Sequence, residues 1–410
     1  MDSRYRPSHL LLQWHLSERC NLRCAHCYQD DYRDAGVGLS SWLPILEQFR
    51  AFLASRSPRI RGHVTVTGGE PFAHPEFPAL LERLAQGGDE FSFAILCNGT
   101  LIDEAMARRL ARWAPRFVQV SVEGSPATHD ALRGAGNHAV VVAALRRLVA
   151  AGVRTMISFT AHGGNYLEFS EVARLGRELK VARVWADRLI PHGAGAGLRT
   201  LSTEQTREYL EIMRQARRES ESALRLPLGA RTEISLHRAL QFLAGGAPYR
   251  CTAGDSLITV MPDGTLYPCR RLPMNAGNLN ETPLASLYDG PMLRALRDQS
   301  VVANGCEKCV YERLCRGGLR CLSYATTGSV DRADPGCWLT AAPAASAAAT
   351  APAAAAPAGP AATTTPVAVG LGLGKKALED GKSIVGQHRK TEDGRREYRI
   401  VALAARNKHL

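Results

Sequence analysis

The chain has 410 residues, 45% of them hydrophobic, enough for one large domain and a smaller one with real cores. It contains no strongly apolar run of about 18 residues, and Met1 to Ser8 is polar with no apolar stretch behind a basic start. The sequence therefore predicts neither a membrane span nor a signal peptide, and a cytoplasmic address. The formal charge of +12 is spread along the chain, which reads as a solvated basic surface suited to an acidic peptide rather than as a nucleic-acid footprint.

From about residue 10 to residue 190, short apolar runs alternate with amphipathic stretches, the pattern of successive βα units. Strands are predicted at Leu10 to Leu16, His63 to Thr67, Phe91 to Leu96, Phe117 to Val122, Arg154 to Thr160 and Arg183 to Ile190. Helices are predicted at Ser41 to Ser55, Asp103 to Trp113, Val140 to Ala151 and Tyr166 to Leu179. Six such units make an α/β fold with a parallel, curved sheet, an incomplete relative of the eight-fold barrel, in which chemistry gathers at the C-terminal strand ends.

Thr203 to Leu224 reads as a further amphipathic helix and Leu236 to Ala244 as a shorter one leading to Cys251. Between Cys251 and Cys337 the chain turns irregular and holds seven cysteines, so metal cross-links would stand in for a hydrophobic core. An Ala/Pro/Thr tract reaching about Pro366 is too rich in Pro and small side chains to pack a core and reads as a linker. In the charged segment from Lys375 to Leu410, "REYRIVALAA" is the one segment expected to be ordered. The predicted organisation is a barrel over 8–200, a helical connector over 201–250, a cysteine-rich domain over 251–340, the linker over 341–374 and a basic tail over 375–410.

Eleven cysteines without an export signal argue against disulfides, because a reducing compartment keeps thiols free unless a metal or a catalytic cycle claims them. Cys20, Cys24 and Cys27 form C-x3-C-x2-C in "SERCNLRCAHCYQ", directly after the first predicted strand. Three thiolates on one short loop can bind three irons of a [4Fe-4S] cube and leave the fourth open to a substrate. Zinc is the weaker alternative, since its structural sites pair C-x2-C with a second Cys or His pair and only His26 lies nearby, better placed to line the pocket.

This motif resembles that of radical S-adenosylmethionine (SAM) enzymes, in which the open iron chelates SAM and reduction releases a 5′-deoxyadenosyl radical. "TGGEP", Thr67 to Pro71, resembles the segment that holds the methionyl ammonium, which puts Gly68, Gly69, Glu70 and Pro71 at the cofactor with Glu70 as acceptor. By the same resemblance Asn98 in "LCNGTLID" and Ser121, Glu123 and Arg133 in "SVEGSPATHDALRG" are SAM contacts. Ser121 and Arg133 would address the carboxylate, and Glu123 the ribose or a neighbouring hydrogen-bond network. Cys97 reads as a small buried hydrophobe.

The later cysteines, with "GTLYPC" ending at Cys269 and "CEKCVYERLC" giving C-x2-C-x5-C, resemble the SPASM domain of peptide-modifying radical SAM enzymes. That resemblance implies two auxiliary [4Fe-4S] clusters, an inner one on Cys251, Cys269 and Cys321 and an outer one on Cys306, Cys309, Cys315 and Cys337. Two features depart from the family pattern. Five residues, Arg316 to Arg320, separate Cys315 from Cys321 where three are usual, and no eighth cysteine lies between Cys251 and Cys269, which leaves the inner cluster's fourth position open or to a non-cysteine ligand. Zinc knuckles that only stabilise the domain are the plain alternative.

The resemblance implies an oxidoreductase that cleaves SAM reductively and modifies a peptide, forming a thioether or carbon-carbon cross-link in a ribosomally made peptide. A formylglycine-forming sulfatase-maturing enzyme and a tetrapyrrole- or haem-modifying enzyme are the alternatives, and a metal-stabilised binding protein is the non-enzymatic one. Expected partners are the peptide substrate, an electron donor of the flavodoxin or ferredoxin type, and a separate leader-peptide recognition protein, because only about ten residues precede the first strand. No acid or base can be named, and Asp187 and Arg188 at the end of the sixth strand are candidates for the barrel mouth or the surface alike.

Overall fold

The computed structural model describes residues 7–29, 31–33, 36–222, 231–247 and 249–339, and the backbone of two strands further on. The chain divides into two units at the Thr340–Ala341 boundary.

In the first unit the six expected strands form where alternation places them: β1 (His9–His15), β2 (Arg61–Thr67), β3 (Phe91–Cys97), β4 (Val118–Ser121), β5 (Thr155–Ala161) and β6 (Arg183–Arg188). Neighbours pair in parallel, β1 to β6 in sequence order. Helices α1 (Leu39–Ser55), α2 (Phe77–Ala85), α3 (Glu104–Trp113), α4 (Pro126–Arg133), α5 (Asn137–Ala150), α6 (Phe169–Glu178) and α7 (Thr203–Ser222) accompany the strands. Trp42, Ile45, Leu46, Phe49, Phe52 and Leu53 of α1 are buried in the same core as Leu10, Leu12 and Trp14 of β1. Each such side chain contributes about 1.5–3 kcal/mol by leaving water. The alternate residues Leu11 and Gln13 face a cavity instead, as the two-residue period of a strand requires.

The sheet is larger than six strands. Its order is β7-β6-β5-β4-β3-β2-β1-β8-β9, with β7 (Glu233–Ser235) parallel to β6, β8 (Leu257–Val260) parallel to β1, and β9 (Leu266–Tyr267) antiparallel to β8. The β1–β8 register, Leu11 opposite Leu257, matters for function because Cys251 shortly precedes β8 and Cys269 closely follows β9. Pairing β8 onto the barrel brings those cysteines to the wall of its interior cavity. The stretch expected to be helical at Leu236 to Ala244 is a 3-10 turn over Ala239–Ala244. Short helices α8 (Leu284–Tyr288), α9 (Pro291–Arg297), α10 (Glu312–Cys315) and α11 (Arg320–Thr327) punctuate the cysteine-rich segment.

In the second unit β10 (Ser383–Lys390) pairs antiparallel with β11 (Arg396–Leu403), so the expected "REYRIVALAA" element acquires a partner strand. The Ala/Pro tract and the remainder of the basic tail lie outside the described residues.

Candidate active site

The loop after β1 is held from three sides. Leu16 N–H donates to Thr67 O at 2.9 Å, continuing the β1–β2 ladder. Gly69 and Glu70 N–H donate to Ser17 O and Arg19 O, each at 2.8 Å. A Cβ on Gly68 would sit 2.8 Å from Ser17 O, and one on Gly69 would reach 2.8 Å from Cys20 Cβ and strike Arg19 O. The two glycines are thus required by the close approach of the cysteine loop. From behind, Gly195 N–H donates to Cys27 O at 3.0 Å, and a Cβ on Gly193, whose φ is +59°, would lie 2.6 Å from the Tyr28 carbonyl carbon. Sequence reasoning missed this "GAGAG" brace, although its three glycines in five residues were the visible signal.

Each of the three sulfurs accepts an N–H. Leu22 N–H donates to Cys20 Sγ and Gln29 N–H to Cys27 Sγ, both at 3.4 Å, while Arg133 Nη1 is 3.7 Å from Cys24 Sγ. Donors aimed at sulfur stabilise the thiolate form, the form that binds iron. Without metal, burial pushes the Cys20 thiol up to about 11 and also raises Cys24 against the pull of Arg133. Metal uptake must therefore displace protons. Among the described residues no three His, Cys, Asp or Glu side chains close on a single-ion position.

Of the remaining expected SAM contacts, Gly68, Gly69, Asn98, Ser121 and Arg133 line the cavity in front of these thiols, whereas Glu70, Pro71 and Glu123 stand behind its wall. Glu70 is 1% exposed, and its Oε1 and Oε2 already accept from Phe72 N–H at 3.1 Å and Asn98 N–H at 2.6 Å. Burial nevertheless raises its pKa to about 7. Asn98 Nδ2 donates to Asn21 Oδ1 at 2.9 Å, tying β3 to the cysteine loop. Ser158 Oγ, on β5, donates to Ser121 Oγ at 3.4 Å.

Glu123 organises its surroundings. Its Oε1 accepts from Arg133 Nη2 at 2.6 Å and lies 3.3 Å from His26 Nε2, and its Oε2 accepts from Thr160 N–H at 2.8 Å. Burial would raise its pKa, but His26 and Arg133 together hold it well below the ordinary carboxylate range. Helix α4, capped by Ser125 and started by Pro126, places Arg133 in its last turn, where the guanidinium spans Glu123 and Cys24. Cys97 is buried, as expected of a small hydrophobe, and donates weakly to Gln119 O at 3.6 Å.

The cavity has a volume of about 510 Å³, and its wall carries Cys20, Cys24 and Cys27 together with Cys251, Cys269 and Cys321. A second, small void is lined by Cys306, Cys309, Cys315 and Cys337. The seven later cysteines therefore sort in space into a group of three beside the barrel and a group of four away from it. Burial raises Cys306 to about 11 and Cys315 to about 12, with the neighbouring thiols and Asp334 adding to the rise.

Asp187 and Arg188, for which a surface position was an equal expectation, are buried at 6% and 7% exposure and line the cavity. Asp187 Oδ2 accepts from Arg271 Nη2 at 2.7 Å. Arg188 Nη1 donates to Asp334 Oδ1 at 2.7 Å, with Nη2 bonded to Oδ2 in a two-pronged pair. Asp334 also accepts from Leu319 N–H at 3.0 Å and Gly336 N–H at 2.9 Å. Two residues of β6 thus grip the segments that carry Cys269 and Cys337.

A parallel α/β sheet with three thiols at its first strand end and seven more in two spatial groups defines the class: an iron-sulfur enzyme built on a partial barrel. The chain matches the Radical SAM superfamily over residues 14–176 and the SPASM iron-sulfur cluster-binding domain over residues 251–310. It belongs to the radical SAM superfamily and carries a C-terminal SPASM domain, with [4Fe-4S] clusters as its cofactors and SAM the cosubstrate for which the superfamily is named. It is similar to an AdoMet-dependent heme synthase of Methanosarcina barkeri, 25% identical over 80% of this chain and 95% of that protein. It is also similar to the mycofactocin maturase MftC of Mycobacterium ulcerans, 29% identical over 80% of this chain and 87% of that protein. The fold is shared with the structure described as native anSMEcpe with bound AdoMet and Cp18Cys peptide, at TM-score 0.65 and 19% identity, covering 80% of this chain and 93% of that one. No helix among the described residues is long and apolar enough to cross a membrane.

Proposed function

We propose that this enzyme is a peptide maturase that cleaves SAM reductively and forms a thioether or carbon-carbon cross-link in a ribosomally made peptide. The observation that carries the reading is the single cavity onto which both Cys20, Cys24 and Cys27 and the inner trio Cys251, Cys269 and Cys321 open. A substrate lying between them would be near the site of hydrogen abstraction and near an electron acceptor at once. The maturase relative and the peptide-bound structural neighbour support the substrate class.

In this reading Cys20, Cys24 and Cys27 hold the cluster that engages SAM, and the two later groups hold the inner and outer auxiliary clusters. When bound, the first cluster and SAM supply a 5′-deoxyadenosyl radical that abstracts an unactivated hydrogen. The protein's own part is positional. Gly68 and Gly69 let the β2 end approach the loop, and Asn98, Ser121 and Arg133 offer polar groups along the SAM wall. Glu70 and Glu123 fix those groups from behind. Arg133 would offer positive charge to the SAM carboxylate, with Glu123 holding its orientation. The apolar and hydrogen-bonded barrel interior, including Trp185 with Nε1 2.6 Å from Gln119 Oε1, limits water near a reactive carbon.

The test is incubation of the cluster-loaded enzyme with SAM, a strong reductant and any small peptide found encoded beside its gene. Mass spectrometry of the peptide should show loss of two hydrogens per cross-link and a linked pair of residues on fragmentation. A peptide that stays unmodified while coproporphyrin is converted would transfer the assignment to the tetrapyrrole chemistry named for the heme synthase relative.

A further inference from the structure

The cavity wall between the two cysteine groups carries several arginines, and most of them are paired. Arg188 is bound to Asp334, Arg271 to Asp187, and Arg238 Nε lies 3.9 Å from the same Asp187 carboxylate. Arg270 differs. It is only 7% exposed, lines the cavity, and is fixed from one side alone. Its Nε donates to His15 Nδ1 at 3.0 Å, and its guanidinium carbon lies 4.4 Å from the centre of the Tyr28 ring. Since Nδ1 of His15 accepts, the proton sits on Nε2, which donates to Glu18 Oε2 at 3.1 Å. Glu18, His15 and Tyr28 thus set the plane of the guanidinium.

Neither terminal nitrogen of Arg270 has a hydrogen-bond or ion-pair partner among the described residues. Unused donors of a guanidinium that opens onto the cavity can be met by a bound acceptor, and its planar fork matches a carboxylate with two parallel hydrogen bonds. We propose that Arg270 anchors a carboxylate of the substrate in the space between the two cysteine groups. The proposal rests on the peptide reading, in which the carboxylate is an Asp or Glu side chain close to the residue that is modified.

The contacts of Arg270 to His15 and Tyr28 hold it on the side of the first cysteine loop, and its terminal nitrogens open onto the cavity shared with the inner cysteines.

The test uses the cluster-loaded full chain with SAM present and two probes that differ only in charge, acetyl-Gly-Glu-Gly-amide and acetyl-Gly-Gln-Gly-amide, with binding read by equilibrium dialysis. The wild type should hold the glutamyl probe about tenfold more tightly or better, the worth of a charge-assisted pair. Arg270→Gln should abolish the preference, and Arg270→Lys, which keeps the charge but not the fork, should restore part of it. Iron content reports whether each variant is loaded. No preference in the wild type, or an undiminished preference in Arg270→Gln, overturns the proposal. Coproporphyrin III is a third probe: binding tighter than the glutamyl peptide and lost in Arg270→Gln would keep the anchor and assign its carboxylate to a tetrapyrrole. Failure of the radical SAM reading is distinguishable, because it would show as no 5′-deoxyadenosine from the wild type whatever the dialysis gives.

Discussion

Replacing Asp334 by Ala would remove the carboxylate paired with the Arg188 guanidinium, and would leave that guanidinium, in a residue of 7% exposure, without its bonded counter-charge. Four hydrogen bonds go with it: two from Arg188 and one each from Leu319 and Gly336 N–H. Breaking a buried pair from one side costs about 3–5 kcal/mol, mostly the penalty of the stranded charge. Replacing both partners by apolar residues of similar volume, Arg188→Met with Asp334→Leu, removes that stranded charge and should recover more than half of the loss. Urea unfolding of cluster-loaded protein under anaerobic conditions reads the difference as a shift in midpoint at constant slope. The same variants should lose iron from the outer group first, since Asp334 lines the void of Cys306, Cys309, Cys315 and Cys337. A single substitution costing under about 1 kcal/mol, or a double variant as unstable as the sum of the two singles, would refute the account of this pair.

Gly69→Ala should block the close approach to Arg19 O and Cys20 Cβ, so that the purified variant keeps the auxiliary iron but loses the first cluster, about one third of the total, by iron assay and Mössbauer spectroscopy. Arg133→Ala removes one of the two side chains, His26 being the other, that hold Glu123 low. A carboxylate whose folded pKa is depressed contributes stability above its unfolded value and loses it as pH falls, so the variant should unfold at a milder acidic pH than the wild type in a pH-jump fluorescence series. Glu70 has the opposite sign: its folded pKa of about 7 exceeds the ordinary 4.5, so wild-type stability should decline between those values as pH rises. Glu70→Gln should flatten the profile across that window, and an unchanged slope would contradict the burial argument.

The six barrel strands were legible because each is a short apolar run between amphipathic stretches, and the C-x3-C-x2-C loop was legible because its position after β1 is a matter of order alone. Strand β8 was not. "LITV" is four residues, three of them apolar, inside a Gly/Pro-rich stretch, too short for a period, and its place beside β1 is fixed by a pairing across more than two hundred residues. The spatial sorting of the later cysteines depends on that pairing. Glu70 was read as an acceptor facing the cofactor because its chemistry allows it. Its carboxylate turns instead to the amides of Phe72 and Asn98, partners that no local pattern announces. Asp187 and Arg188 were ambiguous for a related reason: a charged pair at a strand end reads as solvated until the arginine and aspartate of another domain are brought against it.

The central claim is that Cys20, Cys24 and Cys27 support reductive cleavage of SAM in this chain. Purified without oxygen, reconstituted, and given SAM with a strong reductant, the wild type should release 5′-deoxyadenosine measurable by mass spectrometry, and the Cys20→Ala, Cys24→Ala, Cys27→Ala variant should release none while retaining auxiliary iron. Absence of 5′-deoxyadenosine from a fully iron-loaded wild type would contradict the account.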